Sequence, residues 1–138
     1  MSLDVKKVEY YHATVEDHIT EGANMLSAFA GVGINWLAFK AVSLEPWRTR
    51  FTLFPDDSSK MAVGAEKAGL ALDGPHPALL IKGDSDDSGD LAGIYAKLSQ
   101  AGIEVHESTG IADIRESYGV VLYLKPEDCD KALAALKI

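Results

Sequence analysis

Apolar positions along the chain change period in a repeating order. Ala78-Leu79-Leu80-Ile81 is a short apolar run bounded by Pro77 and Gly83, the pattern of a buried strand over Pro77 to Lys82. The residues that follow, Gly83-Asp84-Ser85-Asp86-Asp87-Ser88-Gly89, are all turn formers, and beyond them Leu91, Ile94, Tyr95 and Leu98 share one helix face. Ala101-Gly102 supplies the glycine that closes this helix. Ile103 to Ile111 alternates as a strand, Asp113 to Ser117 makes a polar hairpin turn, and Tyr118 to Leu124 is a second strand richer in β-formers. Pro126-Glu127-Asp128 then opens a helix with Ala132, Leu133 and Leu136 at helical spacing, so the second half predicts βαββα.

The first half repeats this order. Val8 to Val15 reads as a strand, Met25, Leu26 and Phe29 as a helix face, and Asn35 to Leu44 with Arg48 to Phe54 as a hairpin around Glu45-Pro46. Asp57-Ser58-Ser59 opens a helix running toward Gly69, Leu70-Ala71-Leu72 offers a short final strand, and Asp73-Gly74-Pro75-His76-Pro77 reads as a linker. A displacement of 69 positions lays Gly33-Ile34 on Gly102-Ile103. The expectation is an α+β fold of two ferredoxin-like βαββαβ modules in tandem, residues 4–73 and 74–138. Each has an antiparallel sheet with helices on one face, and the second lacks its last strand because Ile138 follows its second helix.

Apolar residues make up 47% and charged residues 25% of the chain, the values of an ordinary globular domain. No apolar run reaches the length of a membrane span and residues 1–7 carry no secretory pattern, which points to the cytosol. A formal charge of −8, with only 13 Lys and Arg, argues against nucleic acid or an anionic membrane as partner. The single cysteine, Cys129, has no second cysteine for a disulfide or a zinc site and reads as a small helix residue.

The second half also resembles a known family. The strand Ala78-Leu79-Leu80-Ile81, the loop ending Ser88-Gly89-Asp90-Leu91-Ala92, and Ala101-Gly102-Ile103 after the helix are similar to an ACT-type domain, the small amino-acid-binding regulatory module of metabolic enzymes. The resemblance covers residues 77–138, and residues 5–72 more weakly through Gly33-Ile34-Asn35 and element order. It implies a regulatory protein without catalysis or cofactor, standing alone here, with an amino acid as ligand. A missing last strand would leave an open sheet edge, so a homodimer is expected.

Physical chemistry places the ligand in the same region. A helix starting near Gly89 or Asp90 presents unpaired N–H groups and a partial positive charge to a carboxylate, and Gly89 allows close backbone approach. Asp84, Asp86, Asp87 and Asp90 restrict the choice: at ~6 Å a pair of unit charges repels by about 3 kcal/mol at an effective dielectric of 20, against at most ~2 from the helix end. A bare phosphate is disfavoured, whereas a zwitterion could set its carboxylate on the amides and its ammonium among the aspartates. The candidate contacts are Asp84, Asp87, Ser88, Gly89, Asp90 and Leu91. In the first half, where Glu16 to Gly22 is the corresponding loop, they are Thr20, Glu21 and Asn35. An alternative use of every one of them is helix capping or ordinary surface polarity.

Other chemistries fit less well. Asp84, Asp86, Ser88, Gly89 and Asp90 follow calcium-loop spacing, but Tyr95 stands where the bidentate Glu is required. His12, His18, His76 and His106 have no zinc spacing, and neither a nucleophile elbow nor a dinucleotide fingerprint occurs. A metal-dependent enzyme of the glyoxalase and extradiol dioxygenase kind is the alternative in another class, with His12, His76, Glu104 or His106 as ligands. A third is an interaction module using an apolar patch around Trp36 or Trp47.

Overall fold

The computed structural model describes residues 3–83, 90–112 and 117–137. In chain order these form β1 (Leu3–Val15), α1 (His18–Gly31), β2 (Trp36–Leu44), β3 (Arg48–Pro55), a 3-10 turn at Ser58–Lys60, α2 (Met61–Ala68), β4 (Asp73–Gly83), α3 (Asp90–Gln100), β5 (Val105–Ala112), β6 (Tyr118–Leu124) and α4 (Pro126–Leu136). The class is α+β, and every pairing with a described register is antiparallel. Two units emerge: Glu9–His76, and Met1–Val8 together with Pro77–Ile138.

In the Glu9–His76 unit, β3 lies between β2 and β1. Phe51 stands opposite Ala13 and Ala41, and Leu53 opposite Tyr11 and Phe39, so alternate residues share one face. That face carries Tyr11, Ala13, Val15, Phe51 and Leu53 into a core with Met25 and Phe29 of α1 and Met61 and Ala65 of α2. The helices approach closely because Gly64 has no side chain: a methyl group there would overlap the Phe29 ring. Trp36 meets the same ring edge-on at 5.4 Å and 83°.

In the other unit, β6 lies between β4 and β5. Leu79, Ile81, Leu122 and Leu124 pack with Ile94, Leu98, Cys129 and Leu136 from α3 and α4. Val5 of β1 is buried in this same core, and Lys7 pairs with Asp130 of α4 at 3.3 Å. The opening of β1 therefore adds a strand to this unit, next to β4, where an open edge was expected, and among the described residues β2 and β5 are the strands with a single neighbour. Burial pushes the Cys129 thiol up, and Sγ donates to the Lys125 carbonyl at 3.6 Å. Alkylation of Cys129 is accordingly expected only on unfolding, which mass spectrometry across a urea series would read.

Two helix ends share one backbone geometry. Gly33 and Gly102 both adopt left-handed φ, +86° and +71°, at the ends of α1 and α3. Ile34 and Ile103 next in sequence each donate N–H to the carbonyl five residues back, Phe29 at 3.2 Å and Leu98 at 3.0 Å. Each isoleucine then enters the core of its own unit.

Three local expectations need correction. Residues 73–77 are the start of β4 and not a linker. Gly74, at φ +148°, fits where a side chain would meet the Tyr10 carbonyl oxygen at 2.8 Å, so the glycine marks close strand approach there. Leu70-Ala71-Leu72 forms no strand. The α1 helix begins at His18, which places Thr20 and Glu21 in its first turn and outside any loop.

Candidate functional site

The entrance of α3 is the first candidate. Asp84, Asp87, Ser88 and Gly89 lie outside the described residues, whereas Asp90 and Leu91 open the helix. Asp90 is only 7% exposed, and the Tyr118 hydroxyl donates to its Oδ2 at 3.2 Å. Tyr118 reaches it because Gly83, its partner in the β4–β6 register, leaves the ring its space: a methyl group on Gly83 would overlap Cε1 and Cζ of Tyr118. Leu91 is half-exposed beside this buried carboxylate. Tyr118 was not singled out from the sequence; the signal was a glycine closing one strand and a tyrosine opening its partner.

At the start of α1 the polar groups serve the helix itself. Asp17 caps it, its Oδ1 accepting from the Thr20 amide at 3.1 Å, and Glu21 reaches back to accept from the Glu16 amide at 3.2 Å. Asn35 exchanges two bonds with Asp56: its amide donates to Asp56 Oδ1 at 3.1 Å and its carbonyl accepts from the Asp56 amide at 2.9 Å. On the order of 15 Å of helix separates Thr20 from the end of α1 that precedes Asn35, so the structure does not gather these three residues.

A second polar constellation stands in the Glu9–His76 unit, on the strand face turned away from α1 and α2. His12 Nδ1 lies 3.0 Å from the hydroxyl of fully buried Thr52, and the His12 and His76 rings are 5.7 Å apart. Tyr10 meets both rings at 5.2 Å. His76 Nε2 is 3.2 Å from Asp73 Oδ1, within ion-pair reach though not aligned as a hydrogen bond. Of the alternative metal ligands, His12 and His76 come together, whereas Glu104 and His106 belong to the other unit. Among the described residues no three His, Cys, Asp or Glu side chains are grouped to hold a metal.

Burial, and after it the Arg50 guanidinium, holds the His12 imidazole below its ordinary value of 6.5, with Asp73 pulling the other way. Between the depressed folded value and 6.5 the unfolded chain binds the extra proton, so stability rises with pH through that window. The contribution is complete above 6.5 and lost as acidification charges His12. A His12→Gln variant is expected to show a flatter melting temperature against pH just below that value, by calorimetry.

Trp47 at the β2–β3 turn is 87% exposed, with Phe39 and Leu37 also exposed on β2. Trp36, by contrast, packs on Phe29. Among the described residues no helix is long and apolar enough to cross a membrane.

No family model and no curated protein sequence matches the chain. Solved structures do. The protein BT0572 from Bacteroides thetaiotaomicron superposes with a TM-score of 0.80 at 17% identity, over 96% of this chain and 88% of that one. The regulatory subunit of aspartate kinase from Thermus thermophilus, in ligand-free form, gives 0.67 at 16% identity over 99% and 93%. A C-terminal regulatory domain of aspartate kinase from Porphyromonas gingivalis, so described, gives 0.60 at 15% over 98% and 94%. The fold is ACT-type. At these identities the likeness is one of fold, and it extends over most of each of those chains.

Proposed function

We propose that this chain is a regulatory protein, two ACT-type modules that bind a small zwitterionic metabolite, an amino acid, at the entrance of α3, and that it does no catalysis itself. The modules would be residues 4–73 and 74–138 in sequence, with the opening of β1 completing the second. The observation that carries the reading is Asp90, a carboxylate withdrawn from water at the first residue of a helix and held by one tyrosine hydroxyl. A carboxylate has room for more than one donor, so an ammonium group could share it while the first-turn amides take the ligand's carboxylate. Asp84, Asp87, Ser88, Gly89 and Leu91 would complete the site. The regulatory role described for the aspartate kinase proteins of this fold supports the assignment. A homodimer formed through the single-neighbour strands β2 or β5 belongs to the same proposal.

The test is a thermal-shift screen of the purified protein against the twenty common amino acids. At about a hundred times its dissociation constant a ligand stabilises by ~2.7 kcal/mol, on the order of 10 °C for a chain of this size. One or a few side-chain classes are expected to give such a shift, and absence of any shift would overturn the reading.

A further inference from the structure

The polar constellation on the other unit is accompanied by a cleft. Its volume is about 510 Å³, within the range of small-molecule sites, and the polar part of its lining is His12, Thr14, Arg50 and Asp73. The strand register sets Arg50 on β3 between Thr14 on β1 and Val42 on β2, all on one face. Lys40 lies on that face too, opposite Thr52, which is itself opposite His12. The chain as a whole carries −8, and the lining of this cleft sets one permanent cation, Arg50, against one carboxylate, Asp73.

Arg50 is the unsatisfied member. Its Nε is buried from solvent and has no hydrogen-bond partner among the described residues. A buried guanidinium N–H without an acceptor is costly, and the planar fork is matched best by a carboxylate. Asp73 would repel a second negative charge, which disfavours phosphate and dicarboxylates. Leu44, Leu72 and Ala71 give the remainder of the cleft an aliphatic lining.

We propose that this cleft is a second binding site, taking a small aliphatic monocarboxylate on Arg50. It is independent of the α3 entrance, because every residue lining it belongs to the Glu9–His76 unit. Asp73 stands 3.2 Å from His76 Nε2, on the side of the cleft that the carboxylate on Arg50 avoids.

The experiment titrates the isotope-labelled full chain with 4-methylpentanoate and with its uncharged amide, following backbone amide resonances. The carboxylate is expected to give saturable shifts at Thr14, Arg50, Leu72 and Asp73, with the amide at least tenfold weaker. Arg50→Gln should weaken carboxylate binding tenfold or more, and Arg50→Lys should restore part of it. Tyr118→Phe, which alters only the α3 entrance, should leave this titration unchanged even if it abolishes an amino-acid response. Equal affinity for acid and amide, shifts absent from these four residues, or an unchanged affinity in Arg50→Gln would overturn the proposal. If Arg50→Gln does not fold, the comparison of acid and amide on the wild-type chain decides alone.

Discussion

Replacing Phe29 by alanine is expected to cost about 3–5 kcal/mol, read as a lower urea midpoint at unchanged slope. Phe29 has no exposed surface, and it fills the space where α1 crosses α2 over Gly64. The ring also braces Trp36, so loss of the edge-on contact should alter the indole emission at the same time. Collapse of the cavity is restricted, because Met25, Leu53 and Met61 around it are themselves fully buried. The reverse error is informative as well: Gly64→Val pushes side-chain atoms into the ring and should cost about 1–3 kcal/mol. A Phe29→Ala protein within 1 kcal/mol of the wild type, on the same order-of-magnitude scale, would mean that this unit is not packed as described.

The second large effect joins fold to site. Gly83→Val drives a branched side chain into Tyr118, and the ring must leave its place between β4 and the start of α3. Displacement costs overpacking strain and takes the Tyr118 hydroxyl from the buried Asp90 carboxylate, together about 2–5 kcal/mol. Tyr118→Phe removes only the hydroxyl and isolates the second part, about 1–3 kcal/mol. Both variants are expected to lose the amino-acid thermal shift, whereas Phe29→Ala lowers the baseline melting temperature and retains it. A Gly83→Val protein that melts with the wild type and still responds to ligand would separate Tyr118 from binding.

Much of this architecture was legible in the chain. Gly33-Ile34 and Gly102-Ile103 announced the two helix ends because a left-handed residue followed by a buried apolar one is a local device, readable without tertiary context. The opening of β1 was harder to read. Lys7 stands on the helix-facing side of the strand and pairs with Asp130, so the apolar alternation that marks a strand breaks there. Residues 73–77 hid a strand start behind turn residues, since Gly74 serves close approach to Tyr10 rather than chain reversal. The buried setting of Asp90 depends on Tyr118, 28 positions away, and no local pattern encodes it. Thr20, Glu21 and Asn35 carried the polar types a ligand needs, and those types equally suit the capping and bridging bonds they make.

Amide shift mapping of the isotope-labelled chain with the most stabilising amino acid of the thermal screen decides the matter of the α3 entrance. Saturable shifts centred on Asp90, Leu91 and Tyr118, absent in Tyr118→Phe, are the expected result. A spectrum that stays unmoved at those three residues while the amino acid saturates elsewhere, or that no amino acid perturbs at all, would contradict it.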